Sequence, residues 1–133
     1  MSAIDFLDVE DVLLVHAHQI ERFGGAPGVR DPALLESAVA QPMATYGGEF
    51  VHVGLYQMAA AYYFHLVSNH AFVDGNKRIG LAAALTFLEL NGVTIDSGTD
   101  ELFELTMDVA QGRAGKEKIA TVLMELASRP HSG

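Results

Sequence analysis

The chain contains no cysteine. That excludes a disulfide framework and any thiolate metal site, and it suits a reducing compartment. Cations are scarce as well: eight Lys and Arg residues stand against seventeen Asp and Glu, for a formal net charge of −9. A surface this acidic does not hold a polyanion over its whole extent, which argues against direct nucleic-acid binding and disfavours anionic membranes. No basic segment followed by an apolar run and a small-residue cleavage site opens the sequence, so secretion has no support. The richest apolar stretch, residues 54–67, contains Gln57 and His65 and is too short to span a bilayer. Together these absences predict a soluble, cytoplasmic domain with no membrane partner.

What is present is a globular composition, 50% hydrophobic and 19% charged over 133 residues. This predicts one domain over residues 1–133, with a core spanning about residues 8–128. No internal repeat, low-complexity tract or interdomain linker interrupts it. The punctuation is helical. Asp8 caps a helix that runs to about Phe23 and stops at Gly24-Gly25, and Asp31-Pro32 opens a short helix ending before Pro42. Residues 41–53, with Gly47-Gly48 at their centre, read as a loop or a short hairpin. Two Ala-rich segments, residues 54–69 and 76–91, are apolar around most of their circumference and predict a central pair of buried helices. A fifth helix is expected after Ser97 or Thr99, with Asp100 and Glu101 in its first turn, and a sixth over residues 116–127. The fold class predicted is all-α, a compact six-helix domain.

The few cations are unevenly spread. Between Arg30 and Arg113 the only Lys or Arg residues are Lys77 and Arg78, side by side at the start of the second central helix. Acids usually occupy a first turn, because a helix N-terminus carries partial positive charge; two cations there point to a bound anion. A helix beginning near Asn76 points unpaired N–H groups at this loop and is a ready phosphate site, Gly75 lets the backbone approach an anion closely, and Lys77 and Arg78 add a point charge and a planar fork. Asp74 supplies the oxygen ligand that magnesium takes beside phosphates. His70, four residues earlier, is of the residue type best suited to proton abstraction near neutral pH. A lone loop histidine more often satisfies backbone groups. Here a base, a metal carboxylate and a phosphate cradle share one loop.

The run His70-x-Phe72-x-Asp74-Gly75-Asn76-x-Arg78 resembles the core motif of the Fic/Doc family. Residues 28–38 (Gly-Val-Arg-Asp-Pro-Ala-Leu-Leu-Glu-Ser-Ala) and 82–92 (Ala-Ala-Ala-Leu-Thr-Phe-Leu-Glu-Leu-Asn-Gly) are similar to its death-on-curing (Doc) branch, and the resemblance extends over about residues 9–127. It implies ATP and magnesium as cofactors, His70 as the catalytic base, Asp74 as the magnesium ligand, and Gly75, Asn76, Lys77 and Arg78 as the ATP phosphate site. AMP-transferring members usually carry Gly at the position of Lys77 and a second Arg at that of Leu81. The Asn-Lys-Arg version found here is that of Doc proteins, in which ATP presents its γ-phosphate. The implied function is therefore the toxin of a type II toxin–antitoxin pair, a protein kinase that phosphorylates a threonine of elongation factor Tu and arrests translation. AMP transfer to a protein hydroxyl is the alternative within the fold, and a non-catalytic helical binding module the alternative outside it. Residues 41–53 resemble the family's flap, which holds a target backbone by strand addition. Some members carry an inhibitory Ser/Thr-x-x-x-Glu-Gly/Asn helix. Thr45 with Glu49 and Thr121 with Glu125 match its first part only, because Phe50 and Leu126 follow. Inhibition is thus expected from a cognate antitoxin that folds onto the chain.

The remaining candidates read as structure. His16 and His18 lie two apart, face different ways on a helix, and are expected on the surface. His52 and His65 are assigned to packing or surface, Phe72 to loop anchoring, and Met58 with Tyr62, Tyr63 and Phe64 to the core. Asp100, Glu101, Glu104 and Asp108 are expected to form a solvated helix face.

Overall fold

The computed structural model describes residues 3–130. Six helices follow in order: α1 Val9–Phe23, α2 Pro32–Ala40, α3 Leu55–Asn69, α4 Asn76–Leu90, α5 Thr99–Ala110 and α6 Lys116–Ala127. A single turn of 3-10 helix, Gln41–Met43, and a hairpin of β1 Thr45–Tyr46 with β2 Glu49–Phe50 lie between α2 and α3. The six-helix, all-α expectation and the hairpin are both met.

Local chemistry sets most of the boundaries. At α1, Asp8 Oδ1 accepts from the Asp11 N–H (2.8 Å) while Asp11 Oδ2 accepts from the Asp8 N–H (3.0 Å), a reciprocal cap. Asp31 Oδ1 accepts from the Leu34 N–H at 3.1 Å, with Pro32 as the first helical residue. In the hairpin, Thr45 pairs with Phe50 and Tyr46 with Glu49 across Gly47-Gly48, whose φ values of 60° and 84° are those a two-residue hairpin turn requires. The expected side-chain cap of α5 is corrected. Gly98 precedes Thr99, and no side chain caps the helix. A Cβ on Gly98 would stand 2.4 Å from Leu126 Cδ2, so packing of α6 has displaced a capping residue.

α3 is the axis of the molecule. Met58, Ala59, Ala60, Ala61, Tyr62, Tyr63, Leu66 and Val67 are all buried, and α4 packs along it through Ile79, Gly80, Ala83, Ala84, Phe87 and Leu88. Their close approach depends on Gly80, where a Cβ would meet Val67 Cγ2 at 2.4 Å and the Tyr63 carbonyl at 3.0 Å. The buried phenols are satisfied. Tyr62 donates to the Leu7 carbonyl (2.9 Å) and accepts from the Leu7 N–H (2.8 Å), while Tyr63 bonds Thr106 Oγ1. Burial pushes both up to about 12. On the outer face of α5, Asp100, Glu101 and Glu104 are exposed; Glu101 pairs with Arg129 at 2.5 Å and Asp108 with Arg113 at 3.0 Å. No helix among the described residues is long and apolar enough to cross a membrane.

Candidate active site

The loop joining α3 to α4, residues 70–75, is held from two sides. On one side the 28–31 segment runs antiparallel to it. Val29 bridges Phe72, the Val73 N–H donates to the Gly28 carbonyl (3.0 Å), and the Ala71 carbonyl accepts from the Arg30 (2.7 Å) and Asp31 (3.0 Å) N–H groups. The Arg30 guanidinium reaches the carbonyls that α3 leaves unpaired at its C-terminus, donating from Nε to His70 O (2.7 Å) and from Nη2 to Asn69 O (3.4 Å). This grip fixes His70 in a left-handed conformation, φ 51°, the one positive-φ residue other than glycine among the described residues. Such a conformation carries a cost of about 1–2 kcal/mol, met by the surrounding bonds. The imidazole is exposed at the mouth of the cleft.

On the other side stands α1. His16 is 4% exposed, stacks on the buried Phe72 ring with centroids 3.8 Å apart and planes 12° from parallel, and donates from Nε2 to the Asp74 carbonyl at 2.8 Å. The expectation of a surface His16 is therefore corrected, whereas His18 is exposed. The Asp74 carboxylate spans two N–H groups, Ala26 to Oδ2 (3.2 Å) and Gly75 to Oδ1 (2.8 Å). These two bonds, with Arg78 beyond them, hold its carboxyl below the usual carboxylate range, so it is ionised at neutral pH.

The start of α4 is bare. Gly75 sits at φ 77°, a conformation glycine adopts without strain, and no side chain caps the helix. The first ladder bond runs from the Ile79 N–H to the Gly75 carbonyl (2.9 Å), leaving the N–H groups of Asn76, Lys77 and Arg78 before it. The Asn76 side chain is spent locally, accepting from the Phe72 N–H (3.0 Å) and donating to the Phe72 carbonyl (3.1 Å). It staples the loop to the helix, and its contribution toward an anion is its backbone N–H. Arg78 leans across to α1, donating to the Gly24 carbonyl (3.2 Å) with its guanidinium 5.3 Å from the Phe23 ring centroid. Lys77 is exposed and makes no side-chain bond among the described residues. All the predicted site residues, His70, Asp74, Gly75, Asn76, Lys77 and Arg78, line one cleft of about 410 Å³, with Phe23, Gly24 and Gly25 as its far wall. An ionised carboxylate beside an uncapped helix terminus suits a magnesium ion shared with phosphates. Among the described residues no set of three His, Cys, Asp or Glu side chains converges on a metal.

Two groups escaped the sequence reading. Arg30 and the α1 wall act on the loop through tertiary contacts that no local pattern announces. His16 left a trace: it lies four residues after Val12 and four before Ile20, on the inward stripe of α1. His52 and His65, assigned to packing or surface, converge on Lys116, each Nε2 3.2 Å from its Nζ.

The helical domain thus brings a histidine, a carboxylate and an uncapped, cationic helix start into one cleft. The sequence matches the Fic/DOC family over residues 6–88, and the chain belongs to that family. It is 41% identical over 131 residues to Toxin Doc of Mycolicibacterium smegmatis (strain ATCC 700084 / mc(2)155), covering 97% of this chain and 98% of that protein. It is 33% identical over 117 residues to Protein kinase doc of Escherichia phage P1, covering 88% and 91% of the two chains. Both relatives lie on the death-on-curing branch.

Proposed function

We propose that this chain is the toxin of a type II toxin–antitoxin pair and acts as a protein kinase, moving the γ-phosphoryl group of ATP to a threonine of elongation factor Tu. The observation that carries this reading is the cationic, uncapped start of α4, with Lys77 and Arg78 lining the cleft that His70 faces. The names of the two relatives, a toxin and a protein kinase, support it. Lys77 occupies the position at which AMP-transferring members carry glycine. Leu81, at the position of their second arginine, lies in an apolar groove with Leu85 and Phe103.

On this reading His70 takes the proton of the target hydroxyl. That oxygen bonds to the γ-phosphorus, the bond from γ-phosphorus to the β,γ-bridging oxygen breaks, and ADP leaves. The N–H groups of Asn76, Lys77 and Arg78, with the two cationic side chains, receive the charge that develops on the transferred group. Asp74 would hold magnesium, which when bound neutralises phosphate charge. The exposed hairpin β1–β2 offers a strand edge to a target backbone. A cognate antitoxin, covering the cleft from outside the chain, supplies inhibition; its absence from material co-expressed with the adjacent gene would count against this partner.

The test mixes purified protein, magnesium and elongation factor Tu with ATP labelled at α or at γ, beside His70→Ala. Label from γ alone, lost in the variant, is the expected result. Label from α would make the chain an AMP transferase. No label from either, with growth arrest unchanged by His70→Ala, would leave a binding module.

A further inference from the structure

Among the described residues the buried polar or charged side chains are His16 and Thr106, and His16 does not line the cleft. At 4% exposure an apolar side chain would fill the place at lower cost, since a buried polar ring must find a partner or forfeit its hydration. His16 spends its partner on one atom, the Asp74 carbonyl, 2.8 Å from Nε2. A carbonyl only accepts, so Nε2 carries the proton in this bond.

The peptide so held joins Asp74 to Gly75, and it is clamped at both ends. Its oxygen lies on His16; its N–H lies on the Asp74 side chain itself, at 2.8 Å from Oδ1. The plane of that peptide therefore dictates where the carboxylate can turn. The other carboxylate oxygen lies 3.2 Å from the Ala26 N–H, just beyond the end of α1. Helix α1 thus holds the main chain of Asp74 through His16, and the turn that follows the helix holds its side chain through Ala26. The ring that delivers the bond is itself registered. It stacks at 3.8 Å on Phe72, whose N–H and carbonyl are both tied to the Asn76 amide at the first residue of α4. Gly75 lies against the same ring, with His16 Nε2 3.4 Å from the position a Cβ would take, and its φ of 77° is one that glycine adopts without strain.

We infer that His16 is a positioning residue for the transfer reaction: through the Asp74–Gly75 peptide it fixes the aim of the Asp74 carboxylate and of the α4 N-terminus. This rests on the reading of that loop as the phosphate-transfer site, and the experiment separates the two. His16→Phe keeps a ring against Phe72 and removes the donor; His16→Gln restores a donor at the reach of Nε2. Three readouts are compared with the wild type: kcat and KM for ATP with γ-labelled ATP and elongation factor Tu, amide hydrogen exchange at Gly75, and the urea unfolding midpoint.

His16→Phe is expected to lower kcat about 10- to 100-fold, the range in which groups that orient metal-binding residues act, with a smaller change in KM because Lys77 and Arg78 do not touch His16. Gly75 exchange should quicken while the unfolding midpoint stays close to that of the wild type, and His16→Gln should recover most of kcat and of the protection. Wild-type kcat in His16→Phe, or Gly75 protection equal in both variants, overturns the inference. Loss in both variants in proportion to lost stability overturns it as well, since that is what a packing role alone would give. If the wild type transfers no label, the transferase reading fails by itself, and Gly75 exchange in the two variants still decides whether His16 sets the peptide. Should His16→Phe not fold, His16→Met against His16→Gln makes the same comparison.

Discussion

At the scale of single residues, the cleft divides into side chains left free and side chains spent on holding the loop. Lys77 is the clearest of the first kind, an exposed cation with no bond to the rest of the described chain. Lys77→Ala is expected to leave thermal unfolding within about 0.5 kcal/mol of the wild type, as surface substitutions do, while lowering γ-phosphoryl transfer at least tenfold. Paired melting curves and label transfer check both halves. Asp74 lies nearer the second kind, because the N–H groups of Ala26 and Gly75 depress its pKa. A carboxyl with a depressed folded-state pKa is ionised throughout the neutral range, and its contribution is lost only as pH falls through that lowered value. Transfer should therefore show no acid limb attributable to Asp74 above the ordinary carboxylate range, and Asp74→Asn should be weak at every pH. An Asp74→Asn enzyme matching the wild type at pH 7 would remove the carboxylate from the mechanism. Arg30 belongs wholly to the second kind. Arg30→Ala frees the His70 carbonyl and should cost about 1 kcal/mol, measured as a shift of the urea midpoint, with a larger loss of activity than of stability.

At the scale of elements, the pair α3–α4 carries the site between its ends. The loop is as firm as the helix pair is close, and that closeness rests on Gly80 against Val67 and the Tyr63 carbonyl. Gly80→Ala is expected to cost about 1–3 kcal/mol by overpacking, in spite of the better helix propensity of alanine. Val67→Ala in the same chain should return part of that loss. A double-mutant cycle from urea unfolding measures the coupling, and additive effects would mean the helices can separate without strain. The two central helices were legible because their apolar residues cover most of the circumference, and the cap at Asp8 was legible because a capping residue stands directly before the helix; its reciprocal bond with Asp11 came from the structure. The start of α5 was not. Gly98 stands where Ser97 or Thr99 was expected to cap, because Leu126, 28 residues away in sequence, occupies the space.

At the scale of the whole molecule, Lys116 at the start of α6 joins His52, just after the hairpin, to His65 on α3. Burial, then the Lys116 charge, lowers both imidazoles, His65 to about 4. A histidine whose folded pKa lies below its unfolded value of 6.5 adds stability that is fully present above pH 6.5 and is lost as pH falls toward 4. Stability should thus decline between those limits, and His65→Gln should flatten the decline; an unaltered slope would assign the acid sensitivity elsewhere. Sequence by itself determined the helix count, the buried central pair, and the loop that joins a histidine, a carboxylate and a cationic helix start, since each is written within a few turns of chain, where periodicity, caps and charge placement act. Only the tertiary structure decided what holds that loop. His16, Arg30 and the Gly24–Ala26 turn meet it across 40 to 58 residues of sequence, and a contact over that distance exists only once α1, α2 and the central pair have packed, because its partners share no local spacing through which the sequence could announce it.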